Sequence, residues 1–160
     1  MKMFKIYPLS FLFLLTFALL SCSKDKDKEG PSNLIDDAFG LSIDLTWSTG
    51  GTTMTAKTEA DLDLYIMKGT TEVVVSDRIG GFESLGFSSS LADGDYLVNV
   101  EYFEGSKNVS CELTITGKAS GKIYKMNSDM VASSSGSVNV DLLKITKIGN
   151  KFTINSINKL

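Results

Sequence analysis

The chain has 160 residues, a net charge of −3 and no histidine. That length suits one domain, which buries roughly two thirds of its unfolded surface and so folds on its own core without metal or disulfide. With a pI near 5.0 and no basic stripe, nucleic acid is excluded, because its binding rests on lysine and arginine neutralising phosphates.

The first element is an apolar run with a positive start. Lys2 and Lys5 precede it, Phe11 to Leu20 is almost wholly apolar, and Leu19-Leu20-Ser21-Cys22 closes it. A run of about a dozen residues is too short to span a bilayer, which takes about 20. Residues 1–21 therefore read as a signal peptide. The closing tetrapeptide resembles the lipobox of bacterial lipoproteins. The resemblance implies that Cys22 receives a diacylglyceryl group, becomes the new N-terminus and is labelled by palmitate. One acyl chain holds a protein only marginally, at about 0.8 kcal/mol per buried CH₂, whereas two anchor it. Removal of the signal leaves 14 basic against 19 acidic side chains.

Residues 22–37 form the second unit, the lipidated cysteine and a linker. Ser23 to Asn33 contains no apolar residue, and alternating charge with Gly30 and Pro31 cannot bury enough surface to fold. Ser23 directly after the cysteine resembles lipoproteins sent to the outer membrane. The charged stretch resembles the surface-export signals of Bacteroidetes lipoproteins, although those are more acidic. Cell-surface and periplasm-facing orientations both stay open.

Residues 38–160 form the third unit. Glycine-containing breaks fall every 10–15 residues, and neither proline lies beyond residue 31. Between the breaks, apolar residues alternate with polar ones: Leu41, Ile43, Leu45 and Trp47; then Leu62, Leu64 and Ile66; then Tyr96, Val98, Val100 and Tyr102. Period two is the mark of a half-buried strand, and a slip of one residue would bury the polar set. Further strands are expected at 71–76, 83–89, 108–116, 121–127, 137–147 and 150–157, the last two joined as a hairpin through Gly149-Asn150. Asp93-Gly94 is a second turn, and residues 127–136 read as a loop. Leu143 and Ile145 are out of phase with Val138, Val140 and Leu142, which calls for a bulge or a strand switching sheets. The expected fold is all-β: an antiparallel, jelly-roll-like β-sandwich of eight or nine strands with no helix.

Three landmarks carry a further resemblance: Leu45-Thr46-Trp47, Ala60-Asp61-Leu62-Asp63-Leu64-Tyr65-Ile66, and Asp93-Gly94-Asp95-Tyr96-Leu97-Val98-Asn99-Val100-Glu101-Tyr102-Phe103. Their order over residues 41–117 is similar to the bacterial pre-peptidase C-terminal domain and its relatives. That family consists of sandwiches with an Asp-x-Asp-Leu-Tyr strand and a later Gly-x-Tyr-x-Val-x-Val strand, accompanying secreted enzymes. Here Met67-Lys68-Gly69-Thr70 stands where relatives have an Asp-Pro-x-Gly turn. The resemblance implies the fold and, because some relatives bind calcium through acidic residues, a calcium site.

Without histidine, without a Gly-x-Ser-x-Gly elbow and without a phosphate loop, catalysis would have to rest on carboxylates alone, as in glycoside hydrolysis. Asp61 and Asp63, at i and i+2, share one strand face, and Glu59 precedes them. Clustered oxygen donors can hold Ca²⁺, which takes six to eight; equally, both can point into solvent. Tyr65 and Phe103 fall opposite their strands' core sets. They are either exposed platforms for stacking on sugar rings or covered by the C-terminal hairpin. Trp47 alternates with the core set, and Cys111 with Val109, Leu113 and Ile115, so both read as buried. With Cys22 lipidated, Cys111 has no disulfide partner. The Ser88–Ser90 and Ser133–Ser135 clusters read as solvated surface.

The expected function is a lipid-anchored outer-membrane protein whose sandwich is a non-catalytic binding module for a glycan or an envelope protein, without a cofactor unless calcium binds. The alternatives are a calcium-stabilised structural or adhesion subunit of an envelope assembly, and a small carboxylate-dependent hydrolase.

Overall fold

The computed structural model describes residues 33–132 and 136–157, apart from the side chain of Thr53. The signal peptide, Cys22, most of the linker and Ser133–Ser135 lie outside the described residues. The elements are β1 (Leu34–Asp36), β2 (Leu41–Ser48), α1 (Thr53–Glu59), β3 (Ala60–Lys68), β4 (Thr71–Ser76), β5 (Phe82–Phe87), β6 (Gly94–Gly105), β7 (Val109–Gly117), β8 (Ile123–Met130), β9 (Val138–Ile148) and β10 (Lys151–Ser156).

The strands form two antiparallel sheets, one ordered β1-β10-β9-β6-β3-β4 and the other β5-β2-β7-β8. The protein is an all-β sandwich, and each strand expected from alternation is present. Leu41, Ile43 and Leu45 from one sheet meet Leu62, Leu64, Ile66, Val98 and Val100 from the other, all fully buried. Phe87 packs edge-on against Tyr96 at 4.8 Å and Phe152 at 5.5 Å between ring centroids. Burial of such rings and branched side chains is the main force closing the sandwich.

Two tyrosines reach the core without losing their hydroxyl bonds. Tyr96 Oη donates to the carbonyl of Ala92 at 2.5 Å, and Tyr102 Oη to that of Lys107 at 2.8 Å. Each ring fills the interior while its tip fastens a neighbouring loop. Beside Tyr102, Gly105 has φ +150°, and a Cβ there would lie 2.5 Å from the Glu59 carbonyl. Only glycine fits that approach.

The phase change in β9 is a bulge. Val98 pairs with Leu143 but Asn99 with Asp141, so Leu142 is the extra residue and both leucines are buried. The β9–β10 hairpin turns through Gly149 at φ +58°.

Three features differ from expectation. Leu34–Asp36, assigned to the linker, pairs with β10 as a tenth strand, so the folded body begins before residue 38. Ile35 is fully buried; three residues are too few to show an alternation. Asp37, just beyond, accepts backbone N–H bonds from Phe39 at 2.8 Å and from Ala119 and Ser120 at 2.7 Å. Those bonds, Ser120's first, outweigh burial and hold its carboxyl down at about 2.

The second difference is α1, where no helix was expected. Thr52 caps it, its hydroxyl accepting from the Thr55 N–H at 3.3 Å. Among its described side chains only Ala56 is fully buried, so a seven-residue segment offers no helical stripe to read. Third, β8 extends to Met130 through part of the expected loop, pairing Met130 with Val109.

A candidate binding face on the six-stranded sheet

On β3 the inward turn of Leu62, Leu64 and Ile66 forces Asp61, Asp63 and Tyr65 onto the outer face of the six-stranded sheet. Cross-strand register supplies their neighbours. Asp61 stands opposite Glu104, Asp63 opposite Glu101 and Tyr65 opposite Asn99 on β6. On β9, Asn139 stands opposite Glu101 and Asp141 opposite Asn99. The result is a row of carboxylates grading into a row of tyrosine and amide.

Tyr65 links the rows. Its hydroxyl donates to Glu101 Oε2 at 3.1 Å and lies 3.4 Å from Asp63 Oδ2. A phenol has one proton to donate, so it serves one carboxylate at a time unless Asp63 itself carries a proton. Asp63 is only 7% exposed. Burial, followed by the charges of Asp61, Glu101 and Glu83, pushes its carboxyl up to about 6. Asp61 is raised by burial and by Glu104. Burial and the bond to Glu101 push the Tyr65 phenol well above its ordinary range. Among the described residues no ion pair reaches Asp61, Asp63, Glu101 or Glu104; the lysines that do pair hold Glu112, Asp95 and Asp93.

Tyr65, Met67, Glu72, Leu97, Asn99, Glu101, Asn139 and Asp141 line an open depression of about 450 Å³. Asn99 Nδ2 donates to Asp141 at 2.9 Å, fixing which end of the amide faces Asp141. Met67 and Leu97 give the depression an apolar side. Donors, acceptors and one aromatic ring on an open face suit a ligand rich in hydroxyls.

The structure separates several of the expected site residues. Glu59 lies at the end of α1, lining with Asp61, Glu104 and Ile79 a different cleft at one end of the sandwich. Among the described residues, no group of three or more carboxylates or cysteines is placed to hold a metal ion. Asp61 and Asp63 do share a face, but only Asp61 reaches the cleft that Glu59 lines; Asp63 lies further along the strand, outside it. Phe103 is exposed, at 55%, beside the β3–β6 register shift, and does not line the depression. Tyr65 is half-buried and does. The C-terminal hairpin covers neither, since β9 and β10 belong to the same sheet.

Trp47 and Cys111 are buried as expected. Trp47 Nε1 donates to the Ala60 carbonyl at 3.1 Å, and the Cys111 thiol to that of Ser128 at 3.1 Å. Burial pushes the thiol up to about 11, leaving it unreactive. Glu83, which sequence reading passed over, turns inward where β4 meets β5 and accepts from the Ser76 hydroxyl. Burial raises its carboxyl, against the bonds from Ser76 and the Arg78 backbone. Residues Asn99, Glu101, Asn139 and Asp141 were also missed as site residues. Their period-two positions were legible, but not which strands lie side by side.

Comparison of the chain with protein-family models, with curated proteins and with solved structures found no match.

Proposed function

We propose that this is a lipid-anchored envelope protein whose sandwich binds a glycan, without catalysis, on the outer face of the six-stranded sheet. The observation carrying this reading is the depression of about 450 Å³ around Tyr65, with Asn99, Glu101, Asn139 and Asp141 in register across three strands. Paired strands hold its amides and carboxylates side by side, where they can exchange hydrogen bonds with a ligand's hydroxyls. The anchor rests on the sequence alone, on Cys22 behind its apolar run.

A carboxylate-dependent hydrolase finds less support. Asp63 and Glu101 both lie within hydrogen-bond reach of the Tyr65 hydroxyl, but they stand side by side on an open face. A glycosidase instead flanks the scissile bond with its two carboxyls. The competing occupant is a protein partner, favoured by exposed Phe103 at the edge of the acidic rows.

A glycan array probed with residues 23–160 tests the reading. Binding is expected for at least one polysaccharide class, and Tyr65→Ala weakens it about tenfold, a loss of roughly 1.4 kcal/mol. Silence across the array, with a protein captured through Phe103, replaces the glycan by a protein. Palmitate labelling of the intact chain, abolished by Cys22→Ser, tests the anchor.

A further inference from the structure

The far edge of the four-stranded sheet offers an interaction surface independent of the binding face. β8 ends that sheet, and among the described residues no strand lies beyond it. Its eight residues pair with β7 without a register shift, and no proline interrupts it. Of the other edge strands, β1 is three residues long, β4 carries a shift against β3, and β5, though regular, is shorter at six residues and lies beside β3 and β4 of the other sheet. A long regular edge is a template for another strand unless charge or distortion blocks it.

The geometry points to a second copy of this chain as the occupant, with two β8 strands pairing antiparallel about a two-fold axis at Asn127. Tyr124, Met126, Ser128 and Met130 face inward, so Ile123, Lys125, Asn127 and Asp129 face out, and Val131 follows in the same phase. Residues facing each other across an antiparallel pair share a face, which restricts a self-pairing to alternate registers. Centring on Lys125 sets lysine against lysine. Centring on Met126 sets Lys125 against Asn127, and Ile123 against Asp129.

Centring on Asn127 sets Lys125 against Asp129 of the second copy, twice by symmetry. The same register brings Ile123 against Val131 at both ends. These are two exposed apolar side chains, at 54% and 69%, with no other cover among the described residues. Every outward side chain then meets a complement. Lys125 already holds Glu112 at 2.7 Å in an exposed pair. An ammonium has three protons, so it can bind Glu112 and the second copy's Asp129 together. The product is one continuous eight-stranded sheet through both copies, an isologous contact of the kind that closes rather than polymerises.

Oxidative cross-linking of the full chain in its membrane tests this. Asn127→Cys sits at the axis, and it is expected to give a disulfide dimer on a denaturing gel, well above the wild type with its own Cys22 and Cys111. A cysteine at exposed Lys151 gives none. In the Asn127→Cys background, Lys125→Asp or Asp129→Lys each sets like charges together and lowers the yield about tenfold. Co-expressing the two charge variants restores it, because each copy then supplies what the other lacks; that recovery also shows that both fold. Asn127→Cys yield no higher than wild type, full yield from either charge variant alone, or no recovery on co-expression each overturns the proposal.

Discussion

The two outer faces of the sandwich handle carboxylates in opposite ways. On the four-stranded sheet each has a polar partner: Glu112 with Lys125 at 2.7 Å, Asp129 with Ser110 at 2.6 Å, and Asp44 with Ser84 at 2.5 Å. Lys125 holds the Glu112 carboxyl below its ordinary value. On the β3–β6 part of the other sheet, Asp61, Asp63, Glu101 and Glu104 crowd together with one phenol among them, and Asp63 is pushed up to about 6. The same pleated geometry underlies both, so the difference lies in the residues placed on it. A face that keeps half-buried carboxylates without a cation gives up stability, and such concessions gather where a protein binds something.

Both faces rest on a shared core, so the largest effect comes from beneath them. Leu64→Ala, in the fully buried row behind Asp63 and Tyr65, is expected to cost about 2–5 kcal/mol in denaturant unfolding. A smaller loss would mean that the face is not built on rigid strands.

Asp63→Asn isolates the acidic rows. A carboxyl raised in the folded state binds more protons folded than unfolded between about pH 4 and 6, so stability falls as pH rises through that window and stays low above it. Relieving that cost should stabilise the protein by about 1–2 kcal/mol at pH 7, discounting the full shift for partial solvent screening, and leave it unchanged below pH 4. Asp37 has the opposite sign. Its carboxyl is held down at about 2, so its contribution is complete above about pH 4 and is lost as pH falls through 2. Wild-type melting should therefore be highest on the acid side, near pH 4–5. A melting temperature that rises steadily from pH 4 to 7 would contradict the burial of Asp63.

The smallest effect belongs to the paired face. Lys125→Ala should shift the melting temperature of dilute protein by no more than about 2 °C, because exposed ion pairs contribute little. Salt should reduce that shift further.

Strand alternation was legible because one-sided burial stamps period two on the chain: β2, β3 and β6 carry it over their apolar residues, and the misphase at Leu142–Leu143 marked a bulge. β1 left no mark, being too short to alternate, and α1 hides because Ala56 is the single buried residue among its described side chains. The site was legible only along one strand at a time. Alternation placed Asp61, Asp63 and Tyr65 on a common face, but Glu101 and Asp141 join them through pairings between β3, β6 and β9 that are distant in sequence. Glu59 shows the reverse failure, since nearness in sequence to Asp61 did not place it with Asp63.

The three residues of β1 also decide how the body yields to force. Any drag arriving from the N-terminal side meets first Asn33, bonded to Ile154, and then the outermost strand, whose ladder among the described residues is to β10. Such a strand peels one rung at a time, until the load reaches Asp37 and its backbone contacts with residues 119 and 120. Under shear this domain would therefore lengthen first by a short step that draws Ile35 out of the core, while the inner strands of both layers stay paired.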